Sequence, residues 1–154
     1  MKGTRILFMA SWVLLFVVLT ATAILAVQSL RIAYTSPQES IAPGYTLEQV
    51  RATAGEDAVK AVRGRRATAA TWALGYALLG LFVVLVPYRR GERWAWWALL
   101  VSMGLPQLLS LLRAPMLGTM QGIQTPGILL ALTLLALLAG APRFFKRETV
   151  ATVE

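Results

Sequence analysis

The sequence contains no cysteine and no histidine, and only 14% of its 154 residues are charged. Without cysteine the chain forms neither disulfide bonds nor a thiol redox centre, and without both residues it lacks the usual zinc ligands. The commonest axial ligand of a haem is missing as well. We therefore expect no metal ion and no cofactor. Soluble domains average about 25% charged residues, so the low charge indicates that lipid is the solvent for most of this chain.

Charge is also absent from the interior of four long apolar runs, residues 6–30, 67–88, 94–112 and 126–140. About 20 apolar residues in a helix cross the hydrocarbon core of a bilayer. The sequence thus predicts an all-α membrane protein, a single domain of four transmembrane helices arranged as two antiparallel hairpins. A cleaved signal peptide ending near Ala23 is the alternative for the first run, but the residues that follow stay apolar, which favours a retained helix.

The missing internal charges restrict function as well. Proton-coupled transporters and cation pores generally use an ionisable group inside the membrane, and a serine hydrolase needs a base such as histidine. We expect the protein not to be an enzyme. The net charge of +8 does not indicate nucleic-acid binding, because the basic residues lie at the ends of the apolar runs, where membrane proteins place them.

The one long polar segment, residues 31–66, is predicted to be an outer loop that contains a helix. Thr46 and Gln49 have the spacing of a capping box, and apolar residues recur at helical intervals over 47–66. This helix lies on the membrane surface or leads directly into the second span. A disordered loop is the alternative.

Two adjacent carboxylates in this segment, Glu56 and Asp57, point to different helix faces and have no third metal ligand nearby in sequence. We expect them to be solvated surface charges. Glu56 and Lys60 are four residues apart, a spacing that predicts a modestly favourable ion pair.

The segment between the second and third runs combines basic with aromatic residues. Positions 88–97 read Tyr-Arg-Arg-Gly-Glu-Arg-Trp-Ala-Trp-Trp, and a related proline, aromatic and basic segment at 142–147 ends the fourth run. Aromatic belts and basic flanks are typical of the membrane interface, and Arg93 is expected to stack on a ring. We predict membrane-interface anchors at Tyr88, Arg89, Arg90, Arg93, Trp94, Trp96, Trp97, Arg143, Phe144, Phe145, Lys146 and Arg147.

Proline and polar residues interrupt the third run. Pro106 is expected to kink this helix because it removes a backbone donor. Gln107 and Ser110 follow on one face and Arg113 ends the run, and in lipid such polar groups point inward. They form either a small polar pocket or, as we favour, a hydrogen-bonded site of helix packing.

Helix packing and topology can be predicted for the remaining segments. Residues 114–125, with two glycines, are expected to form a loop. With four spans, both termini and the turn at 88–97 share one side, and the dense positive charge of these short flanks places that side in the cytoplasm. The second run carries a face of small residues suited to close helix packing: Ala73, Ala77 and Gly80.

The turn from Pro87 to Trp97 and the tail at 142–147 resemble those of small bacterial four-span integral membrane proteins of unassigned function. From this resemblance, which covers mainly the last three spans, we expect a bacterial inner (cytoplasmic) membrane protein. The resemblance implies no particular activity.

Featureless spans, small-residue faces and missing cofactor ligands favour a non-catalytic accessory or structural subunit of a larger membrane complex, such as a respiratory or photosynthetic one. The alternative is a protein that binds a lipid or hydrophobic small molecule in a cavity behind Pro106. The expected partners are the lipid bilayer, anionic lipid headgroups and the subunits of that complex.

Overall fold

The computed structural model describes residues 2–35, 40–42, 45–118, 120 and 123–145. Helices dominate these residues, and one short antiparallel ribbon pairs Ser40 with Thr46 and Ala42 with Tyr45. The elements in chain order are α1 (Lys2–Thr35), β1 (Ser40–Ala42), β2 (Tyr45–Thr46), α2 (Leu47–Val83), a first π-turn (Val84–Tyr88), α3 (Arg93–Leu99), a second π-turn (Leu100–Gly104), α4 (Leu105–Leu111), α5 (Arg113–Leu117) and α6 (Gln124–Phe145).

Four helical segments are long and apolar enough to cross a membrane: Gly3–Thr35, Leu47–Tyr88, Arg93–Met116 and Gln124–Phe145. The prediction of an all-α membrane protein with four spans is therefore confirmed. Every segment is longer than the apolar run that predicted it. Helix propagation adds one hydrogen bond for each residue fixed, so the helices continue past the positions where the chain stops being apolar.

The chain divides into two compact units, and the division falls inside α1 and α2. Unit 1 comprises Met1–Val18 and Gly80–Glu154, and unit 2 comprises Leu19–Leu79.

In unit 2, the helix predicted after Thr46 is present and leads directly into the second span. The capping box is confirmed: the Gln49 N–H donates to Thr46 Oγ1 at 3.2 Å, and the Thr46 N–H donates to Gln49 Oε1 at 2.9 Å. Gly55 interrupts the helix with φ 81° and ψ 178°, a conformation that is open to glycine because it has no Cβ.

The ion pairs of unit 2 differ from the predicted one. Glu56 binds Arg51 (2.6 Å) and Lys60 binds Asp57 (3.0 Å), so the predicted pairing of Glu56 with Lys60 is wrong. The physical reason is the non-helical Gly55, which lies between Arg51 and Glu56 and changes the path of the chain between them. Both carboxylates are exposed, as expected for surface charges.

The helices of unit 2 form an antiparallel hairpin that two arginines of α2 connect. The last turn of α1 contains no basic residue, and Arg63 of α2 binds its carbonyl groups instead. Its Nε donates to the Ala33 carbonyl and its Nη2 to the Tyr34 carbonyl, both at 2.8 Å. Arg66 Nε donates to Ser29 Oγ at 3.2 Å. Both helices of unit 2 bury alanines, which permit close approach: Ala26, Ala33, Ala67, Ala70 and Ala77.

The small-residue face predicted for the second span is buried to different degrees. Ala77 is fully buried in unit 2, Gly80 is buried in unit 1, and Ala73 is half-buried. The alanines at positions 67 and 70 extend this buried surface towards the start of the span.

The third and fourth spans form the antiparallel hairpin of unit 1. At one end, Arg93 donates to the Phe144 carbonyl. At the other end, a Cβ on Gly127 would lie 3.9 Å from Leu111 Cδ2. Between these ends, α6 packs along α3, the second π-turn and α4, so two hairpins are present, one in each unit, as predicted.

The third span is irregular in the turn that precedes Pro106. The helix widens there into the π-turn Leu100–Gly104, and the backbone stays helical from this turn into α4, which contains the proline. The loop expected over 114–125 is partly helical, because α5 continues to Leu117. It ends at Gly118, whose N–H donates to the Ala114 carbonyl and whose positive φ of 64° turns the following chain out of the helix.

Candidate functional site: the arginine and tryptophan end of unit 1

The turn between the second and third spans is a Schellman motif. The Gly91 N–H donates to the Tyr88 carbonyl at 2.9 Å, and the Glu92 N–H donates to the Pro87 carbonyl at 3.1 Å. Gly91 has φ 81°, which is the left-handed conformation that closes this motif. The chain therefore reverses within a few residues, and Arg89, Arg90 and Arg93 lie close to the reversal.

A buried cluster of hydroxyl and aromatic side chains lies directly beneath this turn. Tyr88 is 0% exposed, and its hydroxyl shares a 2.5 Å hydrogen bond with Ser11 of α1. Phe8 stacks on the Tyr88 ring with centroids 5.7 Å apart, and Phe144 lies 4.8 Å from it at a tilt of 46°. We call Phe8, Ser11, Tyr88, Gly140 and Phe144 the hydroxyl cluster.

Gly140 makes the hydroxyl cluster possible. It lies on α6 where a Cβ would collide with the Tyr88 hydroxyl oxygen and would lie 2.7 Å from Ser11 Oγ. Real Cβ atoms essentially never show such a separation. A residue without a side chain is thus required for the three helices to meet around the two hydroxyl groups.

Two arginines at this end of unit 1 lie over aromatic rings. The Arg89 guanidinium is 5.5 Å from the Trp12 ring centroid, and that of Arg143 is 5.7 Å from the Phe8 ring centroid. The Trp12 indole N–H in turn donates to the Val84 carbonyl at 3.1 Å. This bond fixes the ring on which Arg89 rests.

Arg93 does not stack on a ring, so that prediction is wrong. Its Nε donates to the Phe144 carbonyl at 2.8 Å. Phe144 stands in the last turn of α6, where carbonyl groups have no partner within the helix. A cation placed at this negative end of the helix is stabilised by the helix dipole.

The three tryptophans of the turn have different environments. Trp94 and Trp97 are 54% and 53% exposed, and the Trp94 N–H donates to Glu92 Oε2 at 2.6 Å. Trp96 is half-buried, and its N–H donates to the Leu137 carbonyl at 2.9 Å. Trp94 and Trp97, three residues apart, thus share the outward face of the helix, and Trp96 lies on the face that packs on protein.

The predicted interface anchors that the structure describes therefore fall into two groups. Tyr88 and Phe144 are buried in the hydroxyl cluster, so their prediction as interface anchors requires correction: aromatic side chains beside a helix reversal can fill the space between helices. Lys146 and Arg147 lie outside the described residues. The remaining anchors reach the surface wholly or in part: Arg89, Arg90, Arg93, Trp94, Trp96, Trp97, Arg143 and Phe145.

The second predicted site, Gln107, Ser110 and Arg113, lies on the third span. Ser110 Oγ donates to the Pro106 carbonyl of its own helix at 2.8 Å, one turn back. Gln107 Oε1 is buried and has no hydrogen-bond partner among the described residues. Arg113 is exposed. Ser110 thus bonds to a carbonyl group of its own helix.

An open depression of about 410 Å³ lies beside the turn. Its lining residues are two apolar residues of the first π-turn, Leu85 and Val86, and two arginines of the following turn, Arg89 and Arg90. Apolar and cationic groups therefore meet at one place, at the end of a membrane span.

Sequence reasoning missed the residues of α1 and α6 that complete this site. Ser11 and Trp12 lie inside the first apolar run, and Gly140 is the last residue of the fourth apolar run. A hydroxyl and an indole N–H in an apolar run are polar groups that need partners, which is the one signal that pointed to Ser11 and Trp12. Gly140 carried no such signal.

No family model, curated protein or solved structure matches this chain. Within the described residues, no three histidine, cysteine, aspartate or glutamate side chains come together as a metal site. The site is a set of cationic, aromatic and backbone groups, which can bind an anion or a helix surface through hydrogen bonds and packing.

Proposed function

We propose that this protein is a non-catalytic accessory subunit of a larger membrane complex. The observation that carries the proposal is the length of the second helical segment. It has 42 residues, whereas about 20 residues in a helix suffice to cross the hydrocarbon core.

The charged first part of this segment belongs outside the hydrocarbon. Glu56, Asp57, Lys60 and Arg63 lie within it, and charged side chains at the bilayer centre are costly. Arg63 holds this part against the end of α1 through two hydrogen bonds. A helical extension that is fixed in place and mostly exposed on its outer side is suited to docking with a partner protein.

The membrane-spanning part of the same helix offers a second contact surface. Trp72 is 76% exposed, and a Cβ built on Gly75, three residues later, would meet nothing within 4 Å. A large exposed ring close to a position without a side chain supports packing against another transmembrane helix.

The proposal is tested by extraction in a mild detergent and quantitative mass spectrometry of what co-purifies. We expect one protein to be recovered in fixed stoichiometry. Replacing both Glu56 and Asp57 with lysine, which reverses the acidic charge of the extension, should lower its recovery about tenfold, since interface charge pairs change affinity by one to several kcal/mol. A lone chain in mild detergent, with no stoichiometric partner, would contradict the subunit proposal.

Stability of the isolated variant, measured in parallel, distinguishes a docking defect from unfolding. Both carboxylates are exposed, and exposed ion pairs contribute little to stability. The variant should therefore unfold near the wild-type midpoint.

A second candidate function is the binding of a lipid or hydrophobic small molecule. The observation that favours it is the buried Gln107 Oε1, which accepts no hydrogen bond from the described residues. A buried polar atom without a partner costs about 1–3 kcal/mol, and a bound molecule with a donor group would remove that cost. Mass spectrometry of lipids in the same preparation decides between the candidates, because one enriched lipid on a lone chain favours binding.

We also propose a bacterial inner-membrane location with both termini in the cytoplasm. The support is the density of cations at the short turn of unit 1 and the positive-inside rule. Replacing Arg89, Arg90 and Arg93 with glutamine should give a mixed population with part of the molecules inverted, as read from reporter fusions at the C-terminus. Arg65→Gln is the control and should keep a single orientation. An unchanged topology in the triple variant would refute the role of these arginines.

A further inference from the structure

The depression beside the turn is built from two kinds of surface. Leu85 and Val86 belong to the second span and lie at its apolar end, while Arg89 and Arg90 follow one turn later. Along the helix axis, the lining therefore changes from apolar side chains to guanidinium groups within about 6 Å.

The arginines of the depression have no acidic partner in the part of the chain that the structure describes. The ion pairs there join Arg51 to Glu56 and Lys60 to Asp57, all in unit 2. Glu92, the nearest acid in sequence, accepts the Trp94 N–H. Two adjacent cations without a carboxylate leave a positive potential that an anion can neutralise.

Arg89 is also held in position before any ligand arrives. Its guanidinium lies over the Trp12 ring at 5.5 Å, and the Trp12 N–H is bound to the Val84 carbonyl. The N–H groups of a guanidinium match a phosphate in bidentate geometry. Pre-positioning lowers the entropy cost of binding.

From this geometry we propose that the depression binds one anionic glycerophospholipid. The phosphate diester lies between Arg89 and Arg90, and the upper part of an acyl chain covers Leu85 and Val86. Charge complementarity selects an anionic headgroup, and the apolar lining selects a lipid over a soluble phosphate. This inference is independent of the subunit proposal, because it concerns a site of unit 1 and needs no partner protein.

The test uses the full-length protein in nanodiscs that contain phosphatidylcholine with a titrated fraction of phosphatidylglycerol, and native mass spectrometry counts the bound lipids. We expect one phosphatidylglycerol to be retained at low mole fraction. Each arginine near the lipid surface contributes about 1 kcal/mol, so Arg89→Gln and Arg90→Gln should each weaken retention about fivefold, and the double variant about 25-fold.

Arg143→Gln is the matched control. Arg143 lies beside Gly91 and likewise rests over a ring, that of Phe8, but it does not line the depression. It should leave retention within twofold of wild type. An equal loss in this control would overturn the proposal, because the effect would then come from net charge alone.

Further outcomes also bear directly on the site. Trp12→Leu removes the platform beneath Arg89 and should weaken retention about threefold, roughly the value of an exposed cation–π contact. Phosphatidylglycerol retention that is unchanged in the double variant would overturn the proposal, as would equal retention of phosphatidylcholine. Displacement of the lipid by millimolar inorganic phosphate would indicate a simple anion site and would equally overturn it.

Discussion

Gly140→Ala should destabilise unit 1 by about 3 kcal/mol, at the upper end of the 1–3 kcal/mol typical of overpacking. The added Cβ would overlap the Tyr88 hydroxyl oxygen and lie 2.7 Å from Ser11 Oγ. These two groups share a buried hydrogen bond, so neither can move away without losing its partner in a water-free environment. Chemical denaturation in mixed micelles, followed by tryptophan fluorescence, measures the change.

The same helix provides a control for the effect of alanine itself. A Cβ on Gly127 would meet only Leu111 Cδ2, at an ordinary contact distance of 3.9 Å. Gly127→Ala should therefore be neutral or stabilising by up to about 1 kcal/mol, the difference in helix propensity. If both alanine variants have the same stability, the steric account of Gly140 is wrong.

A double variant tests which atom causes the clash. Tyr88→Phe alone should cost about 1–2 kcal/mol, because it leaves the Ser11 hydroxyl unpartnered. In the Gly140→Ala background it also removes the oxygen with which the new Cβ collides. We expect a coupling free energy of about 1–2 kcal/mol in favour of the double variant, within the range found for residues in contact. Strict additivity of the two changes would argue against a direct contact.

Arg63→Met should destabilise the hairpin of unit 2 by about 2 kcal/mol. The substitution keeps an apolar chain of similar reach but removes both hydrogen bonds to the last carbonyl groups of α1. Hydrogen bonds to charged groups are worth about 1.5–3 kcal/mol each when buried, and one of these two is exposed, which lowers its share. No basic residue in the last turn of α1 can replace Arg63.

Amide hydrogen exchange shows where in unit 2 the Arg63→Met variant loses stability. The amides of residues 31–35 should exchange faster in Arg63→Met, because the end of α1 frays when its carbonyl groups are unbound. Arg65→Met is the control: Arg65 is exposed on the same helix, and its loss should change neither stability nor exchange. Arg63→Lys should recover only part of the stability, because an ammonium lacks the fork that spans two carbonyl groups.

Much of the fold was predictable because it depends on local properties of the chain. The four apolar runs gave the number and order of the spans, and the Thr46–Gln49 pattern located the start of α2. The ends of the helices were not predictable from hydropathy, since α1 continues to Thr35 and α2 begins at Leu47. Helix propagation follows backbone hydrogen bonding and capping rather than the position of the lipid boundary.

The candidate site was predictable only in part. Helical spacing places Trp94 and Trp97 on one face and Trp96 on another, but which of the two faces is exposed depends on the neighbouring helix. The burial of Tyr88 and the contact of Arg93 with Phe144 depend on which helix lies beside the turn. The pairing of Glu56 with Arg51 in place of Lys60 depends on the backbone at Gly55, whose φ of 81° no spacing rule reveals.

By itself, the sequence determined the solvent of the protein and the number of its spans, because transfer of apolar residues into lipid is a property of each segment alone. Only the tertiary structure decided what those segments build. The bond from Ser11 to Tyr88 joins positions 77 residues apart, and Gly140 matters because two hydroxyl groups from other helices meet it. Lipid solvates every apolar helix face equally well, so hydropathy does not determine which helices pack against each other. Close packing and the need to satisfy buried polar groups make that choice.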